Sequence, residues 1–304
     1  MGALINQRAS SESNGPFVYL TYDQAALDAA YDQTVYAHNR DQLHRRYAEL
    51  SDAVRARLGP PERFSYGPSA IEHLDVFRTM QPNAPIFVFV HGGAWKANPS
   101  ERYAFPAENL VRAGAHYVLI DFAGVDELDG DLRPMVRQVR SAIAWLYESA
   151  SRFDGDRDRI FVGGHSSGAH IVGCVAVTDW AEYATPHDVL KGVLCCSGMY
   201  DLEPVSLSKR SAYVRFDADT IESLSSCRRI DRISAPLIVA YGTEESPEFQ
   251  RQNREFAAAL AAAGKDVRLI VAAGYNHFEI VETLGNPFGV LGAAVLAQMN
   301  PARG

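Results

Sequence analysis

The sequence predicts an α/β protein with a mostly parallel sheet flanked by helices, and three observations support this fold class. Short apolar runs alternate with helical patterns from about residue 71 onward. Residues 86–90 (IFVFV) are continuously apolar, which is typical of a strand buried on both faces. Glycine-rich turns follow two of the strands, and in parallel sheets functional groups collect in the loops at the carboxyl ends of strands.

The individual elements follow from the spacing of apolar residues. Residues 22–58 have helical periodicity, and Gly59-Pro60-Pro61 ends this segment. Later helices are predicted at residues 132–147, 169–178 and 249–263, and a final helix after Phe278. The predicted strands are residues 71–77, 86–90, 117–122, 160–163, 193–196, 237–241 and 267–271.

Length and composition bound the class of protein. The chain has 304 residues and is 47% hydrophobic, which is enough for one large domain, predicted to span residues 17–304. Residues 1–16 are polar, which predicts disorder, and they lack the apolar segment of a signal peptide, so a cytoplasmic location is expected. No apolar window is long enough to predict a membrane span. The net charge of −8 argues against a nucleic-acid partner.

The four cysteines give no sign of a metal centre. Cys174, Cys195, Cys196 and Cys227 form no C-x-x-C pair, which predicts reduced, buried thiols rather than a disulfide or zinc site.

Residues 164–168 (GHSSG) fit the pattern G-x-S-x-G between a predicted strand and a predicted helix. Such a turn holds the serine in a strained backbone conformation, and side chains at the two glycine positions would collide. Ser166 is therefore predicted to be a nucleophile held above the sheet. The N–H of Ser167, at the start of a helix, can stabilise an anion there.

Residues 91–93 (HGG) follow the strand at 86–90 and provide a second functional loop. Glycines let backbone N–H groups approach a substrate oxygen closely. Gly92, Gly93 and Ser167 are thus predicted to form an oxyanion hole, in which one donor typically contributes about 10²–10³ in rate. His91 is expected to brace this loop.

The general base and its acid must come late in the chain, because this topology places serine, acid and histidine in that order. His277 follows the last predicted strand and is the predicted base. Glu244 and Glu245 follow the strand at 237–241, and Asp201 follows the preceding strand. Spacing alone leaves the choice among these three carboxylates open.

Together these residues resemble the arylformamidase (kynurenine formamidase) branch of the serine α/β-hydrolases, from about Tyr66 to the C-terminal helix. The more specific matches are residues 197–204 (SGMYDLEP), 245–249 (ESPEF) and 276–278 (NHF). The resemblance implies an α/β-hydrolase fold and assigns the acid to Glu245, where the family usually has aspartate. The family's HGG is often followed by Tyr-Trp, and Ala94 here implies a wider acyl side of the pocket.

The resemblance also implies a reaction. A small ester or amide would be cleaved through an acyl-enzyme, with N-formylkynurenine or a related aryl-formamide as the best-specified substrate. A carboxylesterase acting on another aromatic or short-chain acyl compound is the first alternative. A non-catalytic ligand-binding protein of the same fold is the second. No metal or organic cofactor is implied, and the sequence leaves open whether the chain forms a homodimer.

Candidate substrate contacts are Trp95, His165 and Tyr22. Residues 17–60 are expected to form a helical cover, with ordinary packing against the sheet as the alternative. Residues 205–232 contain several basic side chains and are predicted to form either a solvated face or a small lid that meets a substrate carboxylate.

Overall fold

The computed structural model describes residues 15–300, so the predicted disordered stretch, residues 1–16, lies outside the described residues apart from its last two positions. The strands of its central sheet are β1 Glu62–Ser65, β2 His73–Phe77, β3 Ala84–Val90, β4 His116–Ile120, β5 Gly155–His165, β6 Leu190–Cys196, β7 Leu237–Gly242 and β8 Val267–Ala272.

These eight strands form one sheet in the order β1-β2-β4-β3-β5-β6-β7-β8. β2 pairs antiparallel with both β1 and β4, and every other neighbouring pair is parallel. The prediction of a mostly parallel sheet is therefore confirmed. All seven residues of β3 and all five of β4 are buried, which explains their continuously apolar sequences.

The topology places the functional loops side by side. Strands β3, β5, β6, β7 and β8 are consecutive parallel neighbours, so their carboxyl ends reach the same edge of the sheet. The loops after these five strands contain, in order along the edge, the HGG run, Ser166, Ser197, Glu245 and His277.

Helices flank the sheet, as predicted. Their ends follow local rules: Ser246 accepts a hydrogen bond from the N–H of Phe249 at 3.3 Å and Pro247 is the first helical residue, while Gly59, with φ +85°, ends the second helix. The helices are α1 Gln24–Ala30, α2 Arg40–Leu58, α3 Ala107–Arg112, α4 Leu132–Ser149, α5 Ser167–Ala176, α6 Glu203–Ser206, α7 Ala218–Leu224, α8 Pro247–Ala262, α9 Glu279–Glu282 and α10 Val290–Met299.

Several elements differ from the sequence prediction, which does not include the short helices α3, α6 and α7 and begins β5 at residue 160 instead of Gly155. β1 and α5 show the physical reasons. The sequence does not predict β1, because its residues (ERFS) are neither alternating nor apolar. The strand exists because it pairs with β2, where the Arg63 guanidinium contacts the Asp75 carboxylate at 2.7 Å. Helix α5 begins at Ser167, two residues before the predicted start at residue 169, because the helix follows the serine turn directly.

Among the helices that the structure describes, no single one is both long and apolar enough to cross a bilayer. The bent pair Glu279–Gly285 and Val290–Met299, with 47° between its parts, meets the length and composition criteria only when the two parts are taken together.

Candidate active site

Ser166 lies in the turn between β5 and α5, and the flanking glycines are required by close backbone contacts. The serine has φ 58° and ψ −124°, a conformation that a side-chain-bearing residue rarely adopts. A Cβ at Gly164 would lie 2.5 Å from the Gly168 carbonyl oxygen, and a Cβ at Gly168 would lie 2.2 Å from that of Val90. Both distances exclude a side chain, so the sequence GHSSG is dictated by the turn.

His277 and Glu245 form a buried pair above the same edge of the sheet. The Nδ1 of His277 lies 2.8 Å from the Oε2 of Glu245, and each residue is 2% exposed. The carboxylate's other oxygen accepts hydrogen bonds from the Ser197 hydroxyl at 2.6 Å and the Gly242 N–H at 2.7 Å. These three donors fix the carboxylate and select the histidine tautomer that has its proton on Nδ1.

The two other carboxylates that spacing left open lie elsewhere. The carboxylate of Asp201 accepts from the N–H of Glu203 at 3.1 Å and lies 3.6 Å from the Arg228 guanidinium. Glu244 is exposed. Only Glu245, among these three, contacts His277. Ser197, to which the sequence analysis assigns no role at the site, follows β6 directly. Two signals pointed to it: its position at the end of a strand and its place at the start of the SGMYDLEP match.

The HGG loop presents backbone N–H groups beside the serine. The Gly92 carbonyl accepts hydrogen bonds from His91 Nδ1 at 2.8 Å and from Asn98 Nδ2 at 3.1 Å. Because a trans peptide is planar, the N–H of Gly93 points away from that carbonyl. The N–H groups of Gly92 and Gly93 donate to no other described residue. A Cβ at Gly92 would lie 3.0 Å from the Ser166 Cβ, so the loop and the serine are in close contact.

His91 packs below this loop and is buried. Its ring stacks on those of Phe122 and Tyr103, with centroid distances of 4.6 and 5.7 Å. Burial lowers the pKa of His91, so the ring is neutral and its Nδ1–H donates to the Gly92 carbonyl. This arrangement matches the bracing role that the sequence predicts for His91.

One cavity of about 370 Å³ has both Ser166 and His277 in its wall. Its remaining lining comes from three stretches of chain: residues 31–44, residues 93–103 and residues 209–213, together with His165 and Phe278. Its volume is in the range of a small-molecule site. A larger cavity of about 600 Å³ lies between α2, α3 and the C-terminal region, and none of the predicted site residues lines it.

The matching family model covers residues 74–260, most of the sheet and all of the serine turn. The chain belongs to the BD-FAE family.

Individual relatives agree with this BD-FAE assignment. The chain is 31% identical over 230 residues to the kynurenine formamidase of Danio rerio. That alignment covers 72% of this chain and 75% of the relative. It is 27% identical over 244 residues to esterase LipQ of Mycobacterium tuberculosis, with coverage of 73% and 55%. It also superposes with a TM-score of 0.77 and 25% identity on a crystal structure from Silicibacter sp. TM1040 classed provisionally as a thioesterase, covering 88% and 97% of the two chains.

These findings establish the class of protein. This BD-FAE member is an enzyme with the α/β-hydrolase fold, of the serine-hydrolase type that includes formamidases and esterases. The fold and the arylformamidase-like resemblance predicted from the sequence are both confirmed.

His165 lies at the cavity wall, where the sequence places a substrate contact. Its Nε2 donates to the carbonyl oxygen of His277 at 2.7 Å, and the two rings are 4.6 Å apart. Burial, together with the nearby His277, holds the pKa of His165 well below its usual range. The ring is therefore neutral, and its Nε2–H holds the backbone of His277 in place.

Trp95 and Tyr22, the other two predicted substrate contacts, do not line this cavity. Trp95 is 2% exposed, and its indole N–H donates to Nδ1 of the buried His170 at 3.1 Å. The left-handed backbone at Ala94 and Trp95 accompanies this inward packing. Tyr22 is half-buried beside Tyr19, with which it forms an isolated β-bridge. The neighbouring Tyr31, rather than Tyr22, reaches the cavity.

Proposed function

We propose that Ser166 is the nucleophile of this enzyme, with His277 as general base and Glu245 as its orienting acid. The observation that carries the proposal is the buried 2.8 Å contact between Glu245 and His277, on the wall of a cavity that also contains Ser166. With the proton on Nδ1, the Nε2 of His277 has a lone pair available to accept the proton of the Ser166 hydroxyl.

The reaction then proceeds in two halves. The Ser166 Oγ attacks the substrate carbonyl while His277 takes its proton, and the leaving alcohol or amine departs with that proton. Water, deprotonated by His277, attacks the acyl-enzyme and releases the acid and the free serine. The N–H groups of Gly92, Gly93 and Ser167 stabilise the oxyanion in both halves.

We further propose that the substrate is N-formylkynurenine or a related aryl-formamide. The likeness to a kynurenine formamidase over 72% of the chain supports this substrate class. The cavity wall contains the rings of Tyr31, Tyr103, Tyr213 and Phe278, which provide apolar contacts for an aryl group.

One observation favours an esterase with a larger acyl group instead. Ala94 lines the cavity with a single methyl group, so the HGG loop leaves room beside the reacting carbonyl. The two substrate classes are therefore to be compared directly. We expect kcat/KM for N-formylkynurenine to exceed the values for aryl acetates and butyrates. A higher value for a butyrate would replace the formamidase proposal by the esterase one, and turnover of none of these compounds would remove both.

A further inference from the structure

The cavity beside Ser166 has a charge opposite in sign to that of the whole chain. The sequence has a net charge of −8, whereas four cationic side chains line the cavity against one carboxylate, that of Asp32. The four cations are Arg40, Arg102, Lys209 and Arg210.

Some of these cations already have a carboxylate partner within the described chain. Lys209 Nζ contacts the carboxylate of Asp32, and Arg40 pairs with Asp41 at 2.7 Å. Arg210 differs from both. Its NH1 donates to the Tyr213 hydroxyl at 3.0 Å and its NH2 to the Tyr31 carbonyl at 2.9 Å, and both acceptors are neutral.

Arg210 is also buried. The residue is 7% exposed, its guanidinium lies 5.4 Å from the centroid of the Trp95 ring, and its Nε has no hydrogen-bond partner among the described residues. An arginine stays protonated, and removing its charge from water is costly unless an anion compensates it. Neutral acceptors and an aromatic face compensate only part of that cost.

We propose that Arg210 binds a carboxylate that the substrate carries in addition to its scissile ester or formamide bond. The inference rests on the proposed function, since it concerns the same cavity. A planar carboxylate matches the guanidinium geometry and supplies the missing negative charge. Residues 209–213 therefore form a specificity wall rather than a solvated face.

The proposed carboxylate site can be tested by measuring ligand affinity in a protein that does not turn over substrate. In the Ser166→Ala protein, calorimetry compares 3-phenylpropionate with 3-phenylpropionamide, which differ only in the charged group. We expect the carboxylate to bind at least about tenfold more tightly, and this preference to weaken as salt rises. Equal affinities, tighter binding of the amide, or binding of neither compound would overturn the proposal.

Two further variants test whether the carboxylate preference comes from Arg210. Adding Arg210→Gln should remove the preference for the carboxylate while leaving affinity for the amide unchanged. Arg228→Gln is the matched control, because Arg228 lies in the same part of the chain but pairs with Glu203 and Glu222, each at 2.9 Å, outside the cavity. A preference that survives in Arg210→Gln, or disappears equally in Arg228→Gln, contradicts the assignment to Arg210. If Arg210→Gln does not fold, Arg210→Lys keeps the charge and should bind the carboxylate with intermediate affinity.

The two proposals fail separately. Carboxylate preference without hydrolysis of any ester or formamide would remove the proposed function alone. Hydrolysis of neutral aryl esters with no carboxylate preference in the binding assay would remove this inference alone.

Discussion

The cavity beside Ser166 has two walls that are built in different ways. The sheet-edge wall contains Gly93, Ser166 and His277, and the backbone fixes its shape. A Cβ at Gly168 would lie 2.2 Å from the Val90 carbonyl oxygen, so the serine turn tolerates no side chain at that position. The opposite wall, residues 31–44 and 209–213, consists mainly of polar and charged side chains that contact one another. Under the proposed function, the reaction depends on groups that a closely packed backbone holds at the sheet edge. Substrate choice depends on side chains that can be exchanged without disturbing the serine turn.

Replacing Ser166, in the sheet-edge wall, is expected to reduce activity most. Ser166→Ala should lower kcat/KM by at least about 10⁴-fold for every substrate, because the attacking oxygen is removed. The melting temperature should stay within a few degrees of the parent, since only a hydroxyl is lost from a turn that the glycines define. Retained turnover in a correctly folded Ser166→Ala protein would mean that another residue is the nucleophile.

Glu245→Gln is expected to have the next largest effect. The amide keeps the size of the side chain but loses the charge that orients His277 and stabilises its protonated form, so kcat should fall about 10³–10⁴-fold. Asp201→Asn is the matched control, and we expect its steady-state kinetics to stay within about twofold of the parent, because a surface carboxylate that pairs with Arg228 contributes little. A larger loss in Asp201→Asn than in Glu245→Gln would reverse the assignment of the acid.

Asn98→Ala tests whether the HGG loop in the sheet-edge wall must be held in place by a side chain. The variant removes the amide that donates to the Gly92 carbonyl at 3.1 Å, and the peptide that presents the Gly93 N–H becomes less well fixed. We expect kcat to fall about 10- to 100-fold, since oxyanion donors must be held in place. KM should change little. A change confined to KM would instead make Asn98 a substrate contact.

The smallest effect on activity is expected from replacing His170, a buried residue of α5. Its lowered pKa predicts instead a change in how the free energy of unfolding depends on pH. Burial lowers the pKa of His170 to about 4 from its ordinary value of 6.5. As pH falls from 6.5 toward about 4, His170 therefore binds a proton in the unfolded chain but not in the folded chain. Over that window the free energy of unfolding should fall, with up to about 1.4 kcal/mol per pH unit from this residue.

Urea denaturation at pH 7, 6 and 5 measures that slope. His170→Gln retains a donor and an acceptor for Leu224 and Trp95, and it should show a shallower pH dependence than the parent protein. Other buried histidines, such as His165, keep part of the dependence. An unchanged slope in His170→Gln would mean that His170 does not titrate as its burial implies.

The sequence predicts more of the sheet-edge wall than of the opposite wall, for physical reasons. The glycine spacing around Ser166 and the position of His277 after the last strand are both visible in the chain. The bond from Ser197 to Glu245 spans 48 residues, and no local pattern reveals it. The sequence predicts Trp95 as a substrate contact, but the direction of its side chain depends on backbone angles that the sequence does not specify. Arg210 lies in a basic stretch typical of a solvated face, but it is buried and contacts Tyr31 and Trp95, which are far from it in the sequence.

The proposed activation of Ser166 by His277 can be measured by covalent labelling of the serine. The protein is treated with a fluorophosphonate, digested, and its peptides are mapped by mass spectrometry. We expect one stoichiometric adduct, on Ser166, and we expect it to form at least about 10³-fold more slowly in His277→Ala. An adduct on a different residue, or labelling of Ser166 at the same rate without the His277 imidazole, would contradict the proposed activation.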